Sequence, residues 1–223
     1  MSQPAGQAPR GVTSSSAPVR HVLFDADGVM QTRPGGWVPA VAAYAGDRAA
    51  ELLEILNRDE LASLDGVADF LPEVGSRLAE FGIDADPAAF YADIWLTIEV
   101  APQSVGVVEA VRRTGRGVHL ATNQARSRAA YMLRELGYAD LFDDHFVSAW
   151  LGASKPSPEF FHRAMARLGA QPQEVLFIDD LLDNVVAARE VGLRAECWHL
   201  DEGHDALLTR LAAHGVRAGE SGA

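Results

Sequence analysis

Three short apolar runs, each followed at once by polar or acidic residues, constrain the fold of this chain more than any other feature. They lie at 22–24, 118–121 and 175–178, and two weaker runs lie at 145–148 and 195–198. Continuous runs of this length are typical of parallel strands that are buried on both faces of a sheet. The sequence therefore predicts a sheet of up to five buried strands.

Helical segments separate these runs, and each segment ends next to a glycine. We predict helices over 105–113, 126–136, 158–168 and 183–191, with Ser157-Pro158 as the cap and first residue of the third. Strands and helices that alternate in this way are joined by right-handed crossovers. The expected core is an α/β, Rossmann-like fold, in which helices cover both faces of a mainly parallel sheet.

Residues 31–101 interrupt the alternation with a block of helices. The pattern predicts one helix over 38–56, a second over 72–81 and a third that starts at Asp86-Pro87, with no strand among them. We interpret the block as a small all-helical cap, inserted after the first strand. The expected organisation is a disordered leader at 1–19, a core at 20–30 and 102–215, the cap at 31–101 and a flexible tail at 216–223.

Charge and cysteine content narrow the class of protein. The 223 residues carry a net charge of −12, which argues against nucleic acid or an anionic membrane as a partner. No run approaches the roughly 18 consecutive apolar residues that a membrane-spanning helix needs. The single cysteine, Cys197, favours a reducing compartment, so we expect a cytoplasmic protein.

Polar side chains follow three of the predicted strands at the point where each strand ends. The segments are Asp25-Ala26-Asp27, Thr122-Asn123 and Asp179-Asp180. Because ligands bind at the carboxyl ends of parallel strands, up to four carboxylates are expected to converge there. Like charges this close need a compensating cation, and carboxylate oxygens suit Mg²⁺. The spacing therefore predicts an acidic metal site.

A lone lysine accompanies these acids. The 19 basic residues include one lysine, Lys155, which leaves 18 arginines. A position that keeps lysine under such a bias is expected to need a compact ammonium on a flexible stem, although chance alone could leave one lysine. Lys155 follows the weaker predicted strand at 145–148, where it could bring a positive charge to the same edge of the sheet.

Four segments together resemble the motifs of the haloacid dehalogenase superfamily. In chain order they are Phe24-Asp25-Ala26-Asp27-Gly28-Val29, Ala121-Thr122-Asn123, Lys155-Pro156-Ser157-Pro158 and Phe177-Ile178-Asp179-Asp180-Leu181-Leu182-Asp183-Asn184-Val185. The likeness extends over about 20–200 and includes a helical cap after the first motif. It implies a Mg²⁺-dependent phosphatase whose partner is a small phosphorylated metabolite.

The resemblance implies a role for each matched residue. Asp25 is the expected nucleophile, which forms an aspartyl-phosphate, and Asp27 is the expected general acid and base. Thr122 and the backbone amide of Asn123 are expected to bind the phosphate group, and Lys155 to neutralise its charge.

The resemblance also implies a set of metal ligands. They are Asp25, Asp27 through its backbone carbonyl, Asp180, and Asp179 through a water molecule. Many relatives carry a further acid four positions after the ligand of the fourth motif. That position is Asn184 here, so the sequence leaves open whether Asp183 or Asn184 completes the outer metal shell.

Two other functions stay open at this point. A sugar phosphomutase, similar to β-phosphoglucomutase, needs the same Asp25, Asp27, Lys155 and Mg²⁺. A non-catalytic binding or regulatory protein on the same scaffold is the alternative of another class, although such a protein should have lost Asp25 or Lys155. Dehalogenation is excluded because relatives that perform it lack the acid at Asp27, and phosphonate cleavage is excluded because the cap has no lysine.

The cap supplies the candidates for substrate specificity. Arg33, just after the hinge, is the expected reader of a second anionic group, ahead of the other cap arginines. Trp37 is expected either to face the substrate or to pack within the cap.

Overall fold

The computed structural model describes residues 17–66, 68 and 70–218. The strands are β1 His21–Phe24, β2 Gln31–Thr32, β3 Glu99–Val100, β4 Gly117–Thr122, β5 Asp144–Val147, β6 Val175–Asp179 and β7 Arg194–Cys197. The helices are α1 Trp37–Ala45, α2 Ala49–Leu64, α3 Leu71–Glu80, α4 Pro87–Trp95, α5 Pro102–Arg113, α6 Arg126–Glu135, α7 Tyr138–Leu141, α8 Ser148–Leu151, α9 Pro158–Leu168, α10 Leu182–Glu190 and α11 His204–Ala213. Short 3₁₀ turns lie at Gly46–Arg48, Pro172–Glu174 and Leu200–Glu202.

Five strands form a parallel sheet in the order β5-β4-β1-β6-β7, with β1 at its centre. The predicted α/β, Rossmann-like fold is confirmed, and the five predicted strands lie within one residue of the observed ones. Successive residues of β1 point to opposite faces: Val22 and Phe24 pack in one hydrophobic cluster, and Leu23 packs in the other. The sheet is therefore buried on both faces, as its continuous apolar strands require.

The cap, helices α1 to α4, has a hydrophobic cluster of its own that includes Leu52, Phe90 and Trp95. Two corrections apply here. The predicted single helix over 38–56 is broken into α1 and α2, because Gly46 adopts a positive φ of 53° between them. A strand pair that the sequence did not predict, β2 and β3, lies antiparallel where the chain enters and leaves the cap.

The ends of the core differ from the predicted boundaries. The first sixteen positions of the predicted leader, 1–16, and the last five of the predicted tail, 219–223, lie outside the described residues. Val19 and Val216, however, are buried in the cluster under β1 and α11, because the sheet face there needs apolar cover. The folded core therefore begins before residue 20 and continues beyond residue 215. Among the described residues, no helix is long and apolar enough to cross a membrane.

Candidate active site

The parallel register brings the predicted site residues to one level of the sheet. Phe24 of β1 is paired with Leu120 of β4 and with Ile178 of β6. The next position along each strand is Asp25, Ala121 and Asp179, at the carboxyl ends where ligands bind in such sheets. The backbone N–H of Asp25 donates to the Ile178 carbonyl at 2.9 Å, which fixes Asp25 at this edge.

Lys155 lies at the centre of this edge. Its ammonium nitrogen Nζ donates to Asp25 Oδ1 at 2.8 Å, to Asp179 Oδ2 at 2.6 Å and to the Ala121 carbonyl at 2.9 Å. An ammonium has three donors, so all three are used. The side chain is only 1% exposed. A planar guanidinium could not place three donors on these converging acceptors, which explains why this position is lysine in an arginine-rich chain.

Asn123 fixes the loop that carries the lysine. Its side-chain amide donates to the backbone carbonyl of Lys155 at 2.8 Å and accepts from the backbone N–H of Lys155 at 2.9 Å. The side chain of Asn123 therefore positions Lys155, while the predicted binding of phosphate by the Asn123 backbone amide stays a prediction. Thr122, also predicted to bind phosphate, is buried at the end of β4, where its hydroxyl accepts from Gln124 Nε2 at 3.3 Å.

At Lys155 and at Asp25, burial and the neighbouring opposite charge shift the pKa in opposite directions. Burial raises the pKa of Asp25 to about 7, in spite of the opposing charge of Lys155. Burial acts to lower the pKa of Lys155, but the charges of Asp179 and Asp25 outweigh it and hold that pKa above its usual value. The lysine is therefore charged, and the ionised form of Asp25 depends on positive charge beside it.

Three carboxylates are close enough to share one cation. Oxygens of Asp25, Asp179 and Asp180 lie within 4.8 Å of one another. All three are hard oxygen donors, the ligand type that Mg²⁺ prefers, so these residues could hold the predicted ion. Asp27 was predicted as a ligand through its backbone carbonyl, and that stays a prediction; its carboxylate is not in this group.

The absence of a side chain at Gly28 leaves room for the Asp180 carboxylate in this group. The glycine has a φ of +77°, and a Cβ there would lie 2.6 Å from Asp180 Oδ2. Only glycine fits both the left-handed backbone and the close approach.

The two candidates for the outer metal shell differ in burial. Asn184 is buried and its amide donates to Asp179 Oδ1 at 2.9 Å, beside a second donor, the Leu181 backbone N–H, at 2.9 Å. Asp183 is exposed. Asn184 is therefore the residue that orients Asp179.

Asp27 belongs to a second cluster, which sequence reasoning missed. Arg128 of α6 binds its carboxylate with two donors, Nη1 to Oδ2 at 2.5 Å and Nη2 to Oδ1 at 2.9 Å. Gln124 Nε2 donates to Oδ2 at 2.7 Å, and Gln31 Nε2 donates to Oδ1 at 3.0 Å. Although burial acts to raise the pKa of Asp27, Arg128 and the two amides hold it below its usual value. The one sequence signal was the i, i+4 spacing of Gln124 and Arg128 directly after the second motif.

Arg33 and Trp37, the two cap residues predicted to contribute to substrate specificity, have different surroundings. The guanidinium of Arg33 donates to four backbone carbonyls, those of Ile94, Asp93, Pro34 and Gly36, at 2.9–3.2 Å. Its donors fasten the hinge to the end of α4, so the hypothesis that it reads a substrate anion finds no support in these contacts. The ring of Trp37 lies 6.3 Å from that of Trp95 and 5.6 Å from the guanidinium of Arg128, next to the Asp27 cluster.

The other cap arginines are also engaged in ion pairs. Arg48 pairs with Glu51, Arg58 with Glu54, and Arg77 with Asp59 and Glu80. Each pair lies within the cap, so these side chains stabilise cap helices rather than reach towards the carboxylate edge.

Comparison with known proteins identifies the family. The family of haloacid dehalogenase-like hydrolases matches residues 19–192, most of the chain. The protein therefore belongs to this family and is a haloacid dehalogenase-like hydrolase, as the four motifs indicated.

Individual relatives are distant. A sesquiterpene phosphatase from Aspergillus oryzae is 27% identical over 176 residues, which cover 77% of this chain and 85% of that protein. A phosphatase from Mycobacterium tuberculosis is 28% identical over 186 residues, which cover 78% and 84% respectively. Among solved structures, a haloacid dehalogenase family enzyme from Bacteroides thetaiotaomicron, in complex with magnesium and inorganic phosphate, has a TM-score of 0.69 at 19% identity, covering 80% of this chain and 93% of that one. That likeness supports the shared fold.

Proposed function

We propose that this hydrolase is a Mg²⁺-dependent phosphatase that cleaves a small-molecule phosphate monoester through a phosphorylated Asp25. The observation that carries the proposal is the convergence of Asp25, Asp179 and Asp180 around a fully buried lysine at the carboxyl edge of the sheet. Carboxylates with one ammonium form a site that binds a cation and a phosphate together and presents an oxygen nucleophile to the phosphorus.

The first half-reaction transfers the phosphoryl group to the protein. A carboxylate oxygen of Asp25 attacks phosphorus, the bond to the leaving oxygen breaks, and Asp27 gives that oxygen its proton. Lys155, bonded to Asp25 Oδ1 at 2.8 Å, offsets the negative charge between nucleophile and phosphate. Mg²⁺, held by the three carboxylates, would supply further charge neutralisation at the phosphate oxygens.

The second half-reaction regenerates the carboxylate. Asp27 takes a proton from water, the water oxygen attacks phosphorus, and the bond between phosphorus and the Asp25 oxygen breaks to release inorganic phosphate. Asp27 thus returns to the protonated form that the next first step requires. Because Arg128 and two amides hold the pKa of Asp27 low, one of these donors must give up its bond when the proton binds. The two named relatives, both phosphatases, support this class of reaction over the alternatives weighed from the sequence.

The proposal is tested with p-nitrophenyl phosphate in the presence of Mg²⁺. We expect turnover that EDTA abolishes and that excess Mg²⁺ restores. Asp25→Asn should lose about 10⁴-fold or more in kcat with an unchanged circular dichroism spectrum, as removal of a nucleophile does. Asp183→Asn, which changes an exposed acid near the same edge, is the matched control and should keep its activity. Retained turnover in Asp25→Asn would contradict the mechanism.

The substrate is then sought with a panel of sugar, nucleotide, amino-acid and isoprenoid monophosphates. Release of inorganic phosphate supports the phosphatase. Net movement of phosphate between two positions of one hexose, without release, would instead identify a phosphomutase.

A further inference from the structure

Four donors saturate the carboxylate of Asp27. Arg128 supplies two, and Gln124 and Gln31 supply one each, at 2.5–3.0 Å. An ionised carboxylate offers about four acceptor positions, so the orientation of this group is fully determined by its neighbours. Arg128 dominates, because its planar fork fits both oxygens at once. The Asp27 side chain nevertheless stays 37% exposed, so one side of it faces open space.

Arg128 also reaches the cap. Its side chain is 5% exposed, and its Nε donates at 2.8 Å to the backbone carbonyl of Trp95, the last residue of α4. Its Nη1 donates in addition to Gln124 Oε1 at 2.8 Å, which aligns the amide that in turn donates to Asp27. One rigid guanidinium is thus bonded to a residue of the core motif and to the backbone of the cap.

Neighbouring contacts reinforce this junction between core and cap. The hydroxyl of Tyr91 in α4 lies 3.0 Å from the hydroxyl of Ser127, the residue before Arg128. Within the cap itself, the indole N–H of Trp95 donates to Glu60 of α2 at 3.2 Å, which ties the end of α4 to the rest of the cap. The end of α4 is therefore held from both sides, and any displacement of the cap must move or break the bond to Arg128.

We propose that Arg128 is a positioning residue, which fixes the orientation of the Asp27 carboxylate and couples that orientation to the position of the cap through the Trp95 carbonyl. The proposal rests on the proposed function, because it assigns to Arg128 control of the proposed acid and base. Arg128 itself touches neither phosphate nor nucleophile in this scheme. Its loss affects the reaction only to the extent that the reaction needs proton transfer by Asp27.

The dependence on the leaving group provides the test. Phenyl and p-nitrophenyl phosphate have similar shapes, but phenoxide is the more basic leaving group and needs the proton more. Loss of the Arg128 charge lets the pKa of Asp27 rise, which favours its acid form, but the carboxyl group then loses its fixed orientation. We expect the loss of orientation to dominate, so that Arg128→Gln loses about 10²-fold in kcat on phenyl phosphate and less than about 10-fold on p-nitrophenyl phosphate, the pattern of a misplaced general acid. Arg134→Gln, an exposed arginine of the same helix, is the control and should behave as wild type on both.

A double variant separates positioning from general damage. If Arg128 acts through Asp27, Arg128→Gln should add little to the loss that Asp27→Asn already causes. A loss that is equal on the two substrates and adds fully to that of Asp27→Asn would overturn the proposal. Arg128→Lys guards against a folding failure: it keeps the charge but loses the fork, and should show the same preference for the better leaving group.

Hydrogen exchange tests the proposed coupling between Arg128 and the cap. Hydrogen exchange of the backbone amides at 93–101 should be faster in Arg128→Gln than in Arg134→Gln, because the bond to the Trp95 carbonyl is gone. Equal exchange in the two variants would contradict the coupling. The proposed function fails separately, if wild type hydrolyses neither ester or if Asp25→Asn stays active.

Discussion

The two aspartates of the first motif lie two residues apart but have opposite electrostatic surroundings. Asp25 is 10% exposed beside an ammonium that it shares with Asp179, and burial raises its pKa to about 7. Asp27 is 37% exposed beside a guanidinium of its own, which together with two amides outweighs burial and holds its pKa below the usual value. Two groups of one residue type are thus made different by their neighbours alone.

The packing of the two clusters, rather than the direction of the pKa shifts, assigns them separate tasks, since a raised pKa at Asp25 and a lowered pKa at Asp27 would by themselves suit the opposite roles. The Lys155 cluster is closed to solvent, and its two aspartates lie at the ends of the adjacent central strands β1 and β6, where nothing can move without disturbing the sheet. The Arg128 cluster is bonded to the cap and has one open side. A nucleophile needs a fixed position, whereas an acid and base must serve first a leaving group and then water. The closed cluster therefore suits attack on phosphorus, and the open cluster suits proton transfer.

Substitution of Lys155 should break the closed cluster with the largest effect. Lys155→Met leaves two buried carboxylates without their cation, which costs about 3–5 kcal/mol of unfolding free energy. We expect about 10³-fold lower kcat in folded enzyme, as for other removed charge-stabilising donors. Lys155→Arg should lose nearly as much, because a guanidinium does not fit the three acceptors. Denaturant unfolding and p-nitrophenyl phosphate turnover measure the two effects, and a fully active Lys155→Arg enzyme would refute the geometric argument.

Substitution of Gly28, the residue after Asp27, should impair the metal group. A Cβ at Gly28 would lie 2.6 Å from Asp180 Oδ2, so Gly28→Ala must displace that carboxylate. We expect about 10- to 100-fold weaker activation by Mg²⁺, the usual cost of disturbing a ligand's support. Gly35→Ala is the control, since it shares the positive φ but a Cβ there meets nothing within 4 Å. Equal Mg²⁺ dependence in the two variants would speak against Asp180 as a ligand.

At the opposite end of β1, the half-buried His21 and the buried His119 form a pair away from the candidate active site. His21 Nδ1 lies 3.1 Å from His119 Nε2, and burial together with the charge of His21 lowers the pKa of His119 to about 4. The unfolded chain binds this proton near pH 6.5, so stability present above pH 6.5 is lost as the pH falls towards 4. The ring is partly shielded from solvent, and we expect a loss of about 1–2 kcal/mol.

Unfolding free energy measured between pH 4 and 7 checks this expectation. His119→Phe should remove this part of the pH dependence, whereas His162→Asn, at an exposed histidine, should keep it. Identical pH profiles for wild type and His119→Phe would show that His119 is not the titrating group.

Substitution of Arg33 should give the smallest effect and decides between two roles for it. If it only fastens the hinge, Arg33→Ala loses about 1 kcal/mol of stability through its bonds to backbone carbonyls and leaves KM unchanged. If it reads a substrate anion, KM for the true substrate rises while turnover of a small aryl phosphate is spared. Arg58→Ala, paired with Glu54 at the cap surface, controls for loss of charge.

The closed cluster could be predicted from the sequence, and the open cluster could not. Asp25 follows β1 and Asp179 ends β6, strands whose apolar runs are local signals, and Lys155 lies on the loop after β5 and α8. The parallel topology then brings these positions together. Arg128 and Gln31 meet Asp27 only through tertiary packing, which leaves no local pattern beyond the spacing of Gln124 and Arg128. The cap shows the same limit: its helices were predicted, but the break at Gly46 depends on a backbone angle that glycine permits without requiring.

The central claim is that Asp25, and no other residue, carries the phosphoryl group. Asp27→Asn removes the base for the second step, so the phosphorylated form of Asp25 should accumulate when this variant is mixed with p-nitrophenyl phosphate and Mg²⁺. Quenching with borohydride reduces an acyl phosphate to an alcohol, and peptide mass spectrometry then locates the change. We predict homoserine at position 25 and nowhere else, and none when Asp25 is also replaced by Asn. Reduction at another residue, or wild-type turnover with no trapped species in the variant, would contradict the account.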